Sequence, residues 1–182
     1  IELIDTVNPD VVFFYGWSWM IPQDIVDNHL CLCLHPSPLP KYRGGSPLQN
    51  QLVAGEQLSA VTIFKMTKGM DEGPIYWQEF FLLEGYLREL WRRIEDSGCS
   101  GTLRFIREFK EGEPFFREQD HSESTYYKRR TPKQSEIDPR DFLKHNARHF
   151  YNKVRGLQPP YPESFVKCKI GRLILERVRY EE

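Results

Sequence analysis

The 182-residue sequence contains no apolar run near the roughly 20 residues that a membrane helix needs, so no membrane partner is expected. It shows no leader pattern at its start, no internal repeat and no low-complexity tract. Charge of either sign is not in excess: 25 Lys and Arg against 26 Asp and Glu leave a formal net charge of −1. That balance gives no global reason to expect a nucleic-acid or membrane surface as partner. Cysteine is sparse, and Cys31, Cys33, Cys99 and Cys168 do not form the disulfide framework of a small secreted domain. The cytoplasm is therefore the expected location. An initiator Met is also missing. Ile1, Leu3, Ile4 and Val7 fall at helical spacing before the turn Asn8-Pro9-Asp10, so the chain reads as opening in mid-fold on the end of a helix.

What is present is a folding composition, 40% hydrophobic and 14% aromatic, in a length that suits one core, or one domain with a small appendage. "VVFFYG" (11–16) and "LCLCL" (30–34) are short continuous apolar runs of the kind buried on both faces of a sheet. Between them, Pro22 and Asp24 open a short helix carrying Ile25 and Val26. Ser46-Pro47 predicts a cap and first turn, and Gly55 the stop, of a helix near 47–54. "SAVTIFKM" (59–66) and "PIYWQEFFL" (74–82) read as strands. Leu87, Leu90, Trp91 and Ile94 mark one helical face, with Gly98 and Gly101 expected to interrupt it before Leu103, Ile106 and Phe109 resume. Residues 112–137 read as an extended connection. Asp138-Pro139 repeats the cap signal ahead of Leu143, Ala147, Phe150 and Val154, and Ile170-Gly171 suggests a closing hairpin. This pattern predicts an α/β fold, with residues 1–125 as the main domain and 126–182 as a small helix-plus-hairpin appendage.

Several positions suggest chemistry. Cys31, Cys33 and His35 alternate and would share one face of a strand. Zinc usually takes three or four protein ligands, and no second cluster answers this one, so buried core cysteines are the expected reading and no metal is assigned. His35 ends "LCLCL" where a loop departs, and Asp71 sits in a glycine-bounded loop after the strand 59–66. Ligands of open α/β sheets bind beyond the carboxyl ends of strands. If those two strands are parallel neighbours, His35 and Asp71 converge on one solvent-open cleft as a proton-handling pair. Lys41 and Arg43, followed by Gly44-Gly45 and the helix start at Ser46, suggest an anion pocket. Lys128-Arg129-Arg130 reads as surface charge. Trp17 and Trp19 are either core or the walls of a slot for a flat heterocycle.

Two stretches, "HPSPLPKYRGGSPLQN" and "VTIFKMTKGMDEGPI", resemble in order and spacing the formyltransferase family that uses 10-formyltetrahydrofolate. Members act on methionyl-tRNA, glycinamide ribonucleotide and sugar nucleotides. The resemblance covers about residues 9–85 strongly and 125–180 more loosely. It implies a Rossmann-like formyltransferase sheet, here an incomplete one whose first strands would precede Ile1, and a C-terminal part shorter than the barrel of the tRNA enzyme. It also implies 10-formyltetrahydrofolate as co-substrate. His35 and Asp71 match the family's catalytic histidine and aspartate, and Cys33 stands where the family has an asparagine. Gly16, Trp17, Met20 and Ile21, in "YGWSWMIP", and Gly69 and Met70 take the places expected to contact the folate. Ser37, Tyr42, Arg43, Gly44 and Gly45 are the expected substrate-binding loop. The implied reaction is transfer of a formyl group to a small amine, foremost an amino sugar on a nucleotide. A methionyl-tRNA formyltransferase or divergent relative comes second, on the strength of Lys128–Lys133 and the basic residues after 140. A folate-binding homologue impaired by Cys33 is the third reading. A homo-oligomer is left open.

Overall fold

The computed structural model describes residues 2–112 and 114–181, so Ile1 of the proposed opening helix lies outside the described residues. The chain starts with α1 (Glu2–Val7), β1 (Val11–Tyr15), α2 (Gln23–Asn28) and β2 (Leu30–His35). It continues through the two-residue β3 (Arg43–Gly44), α3 (Pro47–Ala54), β4 (Leu58–Lys65) and β5 (Ile75–Leu82). After α4 (Leu87–Glu111) come β6 (Tyr126–Tyr127), α5 (Ala147–Gly156) and the hairpin β7 (Phe165–Lys167) and β8 (Arg172–Ile174). The architecture is the expected α/β sheet with a helix-plus-hairpin appendage. Among the described residues no helix is long and apolar enough to cross a membrane.

Four strands form the central sheet in the order β1-β2-β4-β5. β1 and β2 are parallel, but β2 and β4 are antiparallel, with His35 opposite Thr62 and Leu32 opposite Lys65. This corrects the expected parallel pair. The connection from His35 to Leu58 runs through the loop 36–46 and α3 and stays at one end of the sheet, so β4 enters beside the end of β2 and runs back along it. The core lies between the sheet and α3 and α4, where Leu48, Leu52, Val61, Leu87, Leu90 and Ile94 pack together.

α4 is one uninterrupted helix of 25 residues. Gly98 and Gly101 do not break it, because here a missing side chain lets the helix approach the sheet. A Cβ on Gly101 would stand 2.8 Å from the Trp77 ring and 2.9 Å from Ile63. The second capping signal also differs from expectation. The Asp138 carboxylate accepts from the Arg140 N–H and starts only a 3-10 turn, Pro139–Leu143, while α5 starts later, with Asn146 accepting from the His149 N–H. Leu143, expected on the helical face, is 94% exposed. Just past the expected boundary near 125, β6 pairs in parallel with β3, placing Tyr126–Tyr127 against the loop that follows His35.

Candidate active site

The loop 36–46 is pinned from several sides. The Ser37 hydroxyl donates to the Lys41 carbonyl, and the Thr62 hydroxyl donates to the Ser37 carbonyl. The Tyr42 ring stacks on Tyr127 at 4.8 Å, and its hydroxyl donates to Glu56. Gly44 and Gly45 admit β6 and its continuation: a Cβ at Gly44 would lie 2.3 Å from the Tyr127 carbonyl oxygen, and one at Gly45 2.4 Å from the Arg129 nitrogen. Tyr42, Ser46 and Asp71 all hold positive φ, a strain that persists only where surrounding contacts over-determine the backbone. Ser46 precedes α3 as expected but does not cap it. In that left-handed conformation its hydroxyl turns to accept from the Arg130 N–H at 3.1 Å.

Arg43 is at the centre of this packing and only 1% exposed. Its Nε and Nη2 donate to the Gln119 Oε1, its Nη1 donates to the Tyr126 hydroxyl, and Glu72 lies 3.7 Å away. His121 Nδ1 stands 3.1 Å from Nη2. An incoming anion cannot reach a guanidinium so enclosed. Ser37, Tyr42 and Arg43, named above for substrate binding, are buried structural parts of the loop, and Gly44 and Gly45 face β6 and its continuation.

The antiparallel pairing removes the simple reason for His35 and Asp71 to meet. β4 leaves the sheet beside Cys31, where the Met66 N–H donates to the Cys31 carbonyl. That is four positions before His35, or roughly 13 Å along a strand. The loop 66–74 then folds back over the sheet face and returns Asp71 to the histidine, with Asp71 Oδ2 3.6 Å from His35 Nδ1. Three contacts hold the return. The Gly44 N–H donates to Asp71 Oδ2 at 2.8 Å, and the Gln119 amide donates to the carbonyls of Asp71 at 2.9 Å and Gly73 at 2.7 Å. The Tyr126 hydroxyl and Arg43 also hold Glu72. Gln119, 46 residues beyond Gly73, carries no sequence signal that identifies it; its signal is purely tertiary.

His35 is 7% exposed, so it is not open to solvent as the sequence reading expected. Its Nε2 lies 2.8 Å from the Tyr42 carbonyl, which can only accept, so Nε2 carries the hydrogen and Nδ1 faces Asp71. Asp71, by contrast, lines a cleft of about 600 Å³, counting its solvent-filled mouth. The same cleft is lined by Cys33, Trp17, Met20, Ile21, Gly69 and Met70, which brings together all but Gly16 of the residues expected at the folate. Gly16 makes the turn out of β1 at φ +66° and is not among the lining residues. Trp17, Trp19, Met20 and Met70 form an exposed apolar rim, the surface character of a binding site. Trp17 and Trp19 are thus rim rather than core. Burial, reinforced by the Asp71 charge, pushes the Cys33 thiol up to about 12, so it remains a neutral S–H at neutral pH. Cys31 is buried behind it, and no group of three His, Cys, Asp or Glu side chains among the described residues could hold a metal.

The arrangement can seat a flat heterocycle against the apolar rim and present a carboxylate to a reacting amine, with an imidazole behind the carboxylate. Comparison with known proteins bears on the family and the fold. Residues 1–88 match the family described as Formyl transferase. The methionyl-tRNA formyltransferase of Kosmotoga olearia is 30% identical over 176 residues, 94% of this chain and 54% of the relative. The chain spans about half the length of the curated relatives it matches. Among solved structures, the methionyl-tRNA formyltransferase from Clostridium thermocellum superposes with a TM-score of 0.84 at 32% identity, over 99% of this chain and 76% of that one. HypX from Aquifex aeolicus in complex with tetrahydrofolic acid shares the fold, with a TM-score of 0.83 at 18% identity over 96% of this chain and 30% of that one.

Proposed function

The chain belongs to the formyltransferase family that uses 10-formyltetrahydrofolate, and from that premise we propose that it moves the formyl group of this co-substrate to an amine held beside Asp71. The observation that carries the reading is the cleft itself, where Asp71 and an apolar rim meet in one cavity. The pterin lies against Trp17, Met20, Ile21 and Met70. The amine nitrogen attacks the formyl carbon, and the bond from that carbon to the folate nitrogen then breaks. The attacking nitrogen loses one proton and the departing folate nitrogen gains one. Asp71 accepts the first, and His35, with Nδ1 free of hydrogen and facing it, can take that proton on from the carboxyl. His35 therefore acts through Asp71. Cys33 offers a weak S–H donor toward the developing oxyanion where a stronger donor would normally sit.

The relatives above 30% identity favour the aminoacyl group of methionyl-tRNA as the acceptor amine. A nucleotide-linked amino sugar is the second reading, favoured by the net charge of −1, which supplies little long-range attraction for a large polyanion. Titration with tetrahydrofolate should quench tryptophan fluorescence, with Trp17→Phe removing part of the signal. Assays with 10-formyltetrahydrofolate and either acceptor then decide the amine. Absence of tetrahydrofolate binding overturns the proposal.

A further inference from the structure

We propose that Arg130 and Lys153 form a binding site for a phosphoryl group, set in the seam between α3 and α5. Both cations are only partly exposed, and neither has an ion-pair partner among the described residues. The two carboxylates whose charge reaches Lys153 are each paired with another lysine, Asp141 with Lys144 at 2.9 Å and Glu136 with Lys167 at 2.7 Å. Only neutral acceptors hold the two cations. Lys153 Nζ donates to the Glu136 carbonyl, while Arg130 Nη1 and Nη2 reach the Asn50 Oδ1 and the Gln134 carbonyl at a stretched 3.3 Å each. The Arg130 Nε–H has no partner. The two cations bond to carbonyls two residues apart, Gln134 and Glu136, and burial and then the Arg130 charge hold the Lys153 ammonium below its ordinary range, with Asp141 and Glu136 opposing. An anion between them would relieve the repulsion that those carboxylates leave, and an arginine fork beside a lysine is the donor set that suits phosphate oxygens.

The position of the site gives it a purpose. The Arg130 N–H is anchored on the Ser46 hydroxyl, two residues along the chain from the Gly44 that holds Asp71. A phosphoryl group fixed there would tether an acceptor on the flank of the loop beside the catalytic carboxylate. That purpose rests on the proposed formyl transfer; the anion site itself does not. The shared chemistry is phosphate, which a tRNA end and a nucleotide sugar both carry.

The test is calorimetric titration of the intact chain with inorganic pyrophosphate, uridine diphosphate and a short RNA hairpin ending in CCA. Lys153→Gln removes the charge and leaves a neutral amide donor on a shorter side chain; Arg130→Gln is the second variant. Pyrophosphate should bind the native chain, and each variant should weaken it about tenfold or more. Tighter binding of the hairpin or of the diphosphate identifies the source of the phosphate. Absence of pyrophosphate binding, or equal binding by both variants, overturns the site. Tetrahydrofolate binding measured on the same samples keeps this outcome separate from the fate of the formyl-transfer proposal.

Discussion

Cys33 places a thiol beside Asp71 in the cleft, and burial decides how that thiol behaves. With its pKa pushed up to about 12, Cys33 should resist alkylation near pH 8, while exposed Cys99 and Cys168 react. Timed iodoacetamide labelling with peptide mapping checks this; Cys33 labelling as fast as the other two would contradict it. Cys33→Asn supplies an amide donor for the oxyanion and should raise formyl transfer, since a single such donor is typically worth about 10²-fold or more in rate. An unchanged rate would place the oxyanion elsewhere. At this scale the sequence displays His35, Asp71 and Cys33 openly, because motif spacing is local. It misassigns Arg43, because burial and partners such as Gln119 and His121, 76 and 78 residues away in sequence, are set only by the folded chain.

The loop 66–74 and helix α4 show where element-level reading succeeds and fails. Strand positions are legible from apolar runs, yet strand direction is not, since an apolar run reads the same in either direction. The His35–Asp71 approach was anticipated on the ground of parallel strands, and it is reached instead by a loop folded back over an antiparallel pair. The helical period continues through Gly98 and Gly101, where a low-propensity residue masks a packing need. Gly101→Ala would gain up to about 1 kcal/mol in helix propensity but lose about 1–3 kcal/mol by overpacking against Trp77 and Ile63, both held in place. The melting temperature should therefore fall. A rise would show that the sheet and α4 are not in the close contact described.

For the whole molecule, His149 ties stability to pH in mildly acid solution. Burial, then His145 and Lys153, hold the His149 imidazole below its ordinary 6.5, with Asp141 opposing. The unfolded chain then takes up the proton first. Stability should be intact above about pH 6.5 and decline as pH falls through that value toward the lower folded-state pKa. His149→Gln should flatten thermal-melt midpoints between pH 7.5 and 5.5; an unchanged slope would assign the effect to another group. The central claim is that Asp71, presented to the cleft by its folded-back loop, takes the proton from the attacking amine. Turnover of 10-formyltetrahydrofolate by Asp71→Asn, with tetrahydrofolate binding followed on the same protein through tryptophan fluorescence, tests it most directly. The account predicts near-native folate binding and melting temperature with transfer slowed by about 10²-fold or more; native transfer rates in Asp71→Asn would contradict it.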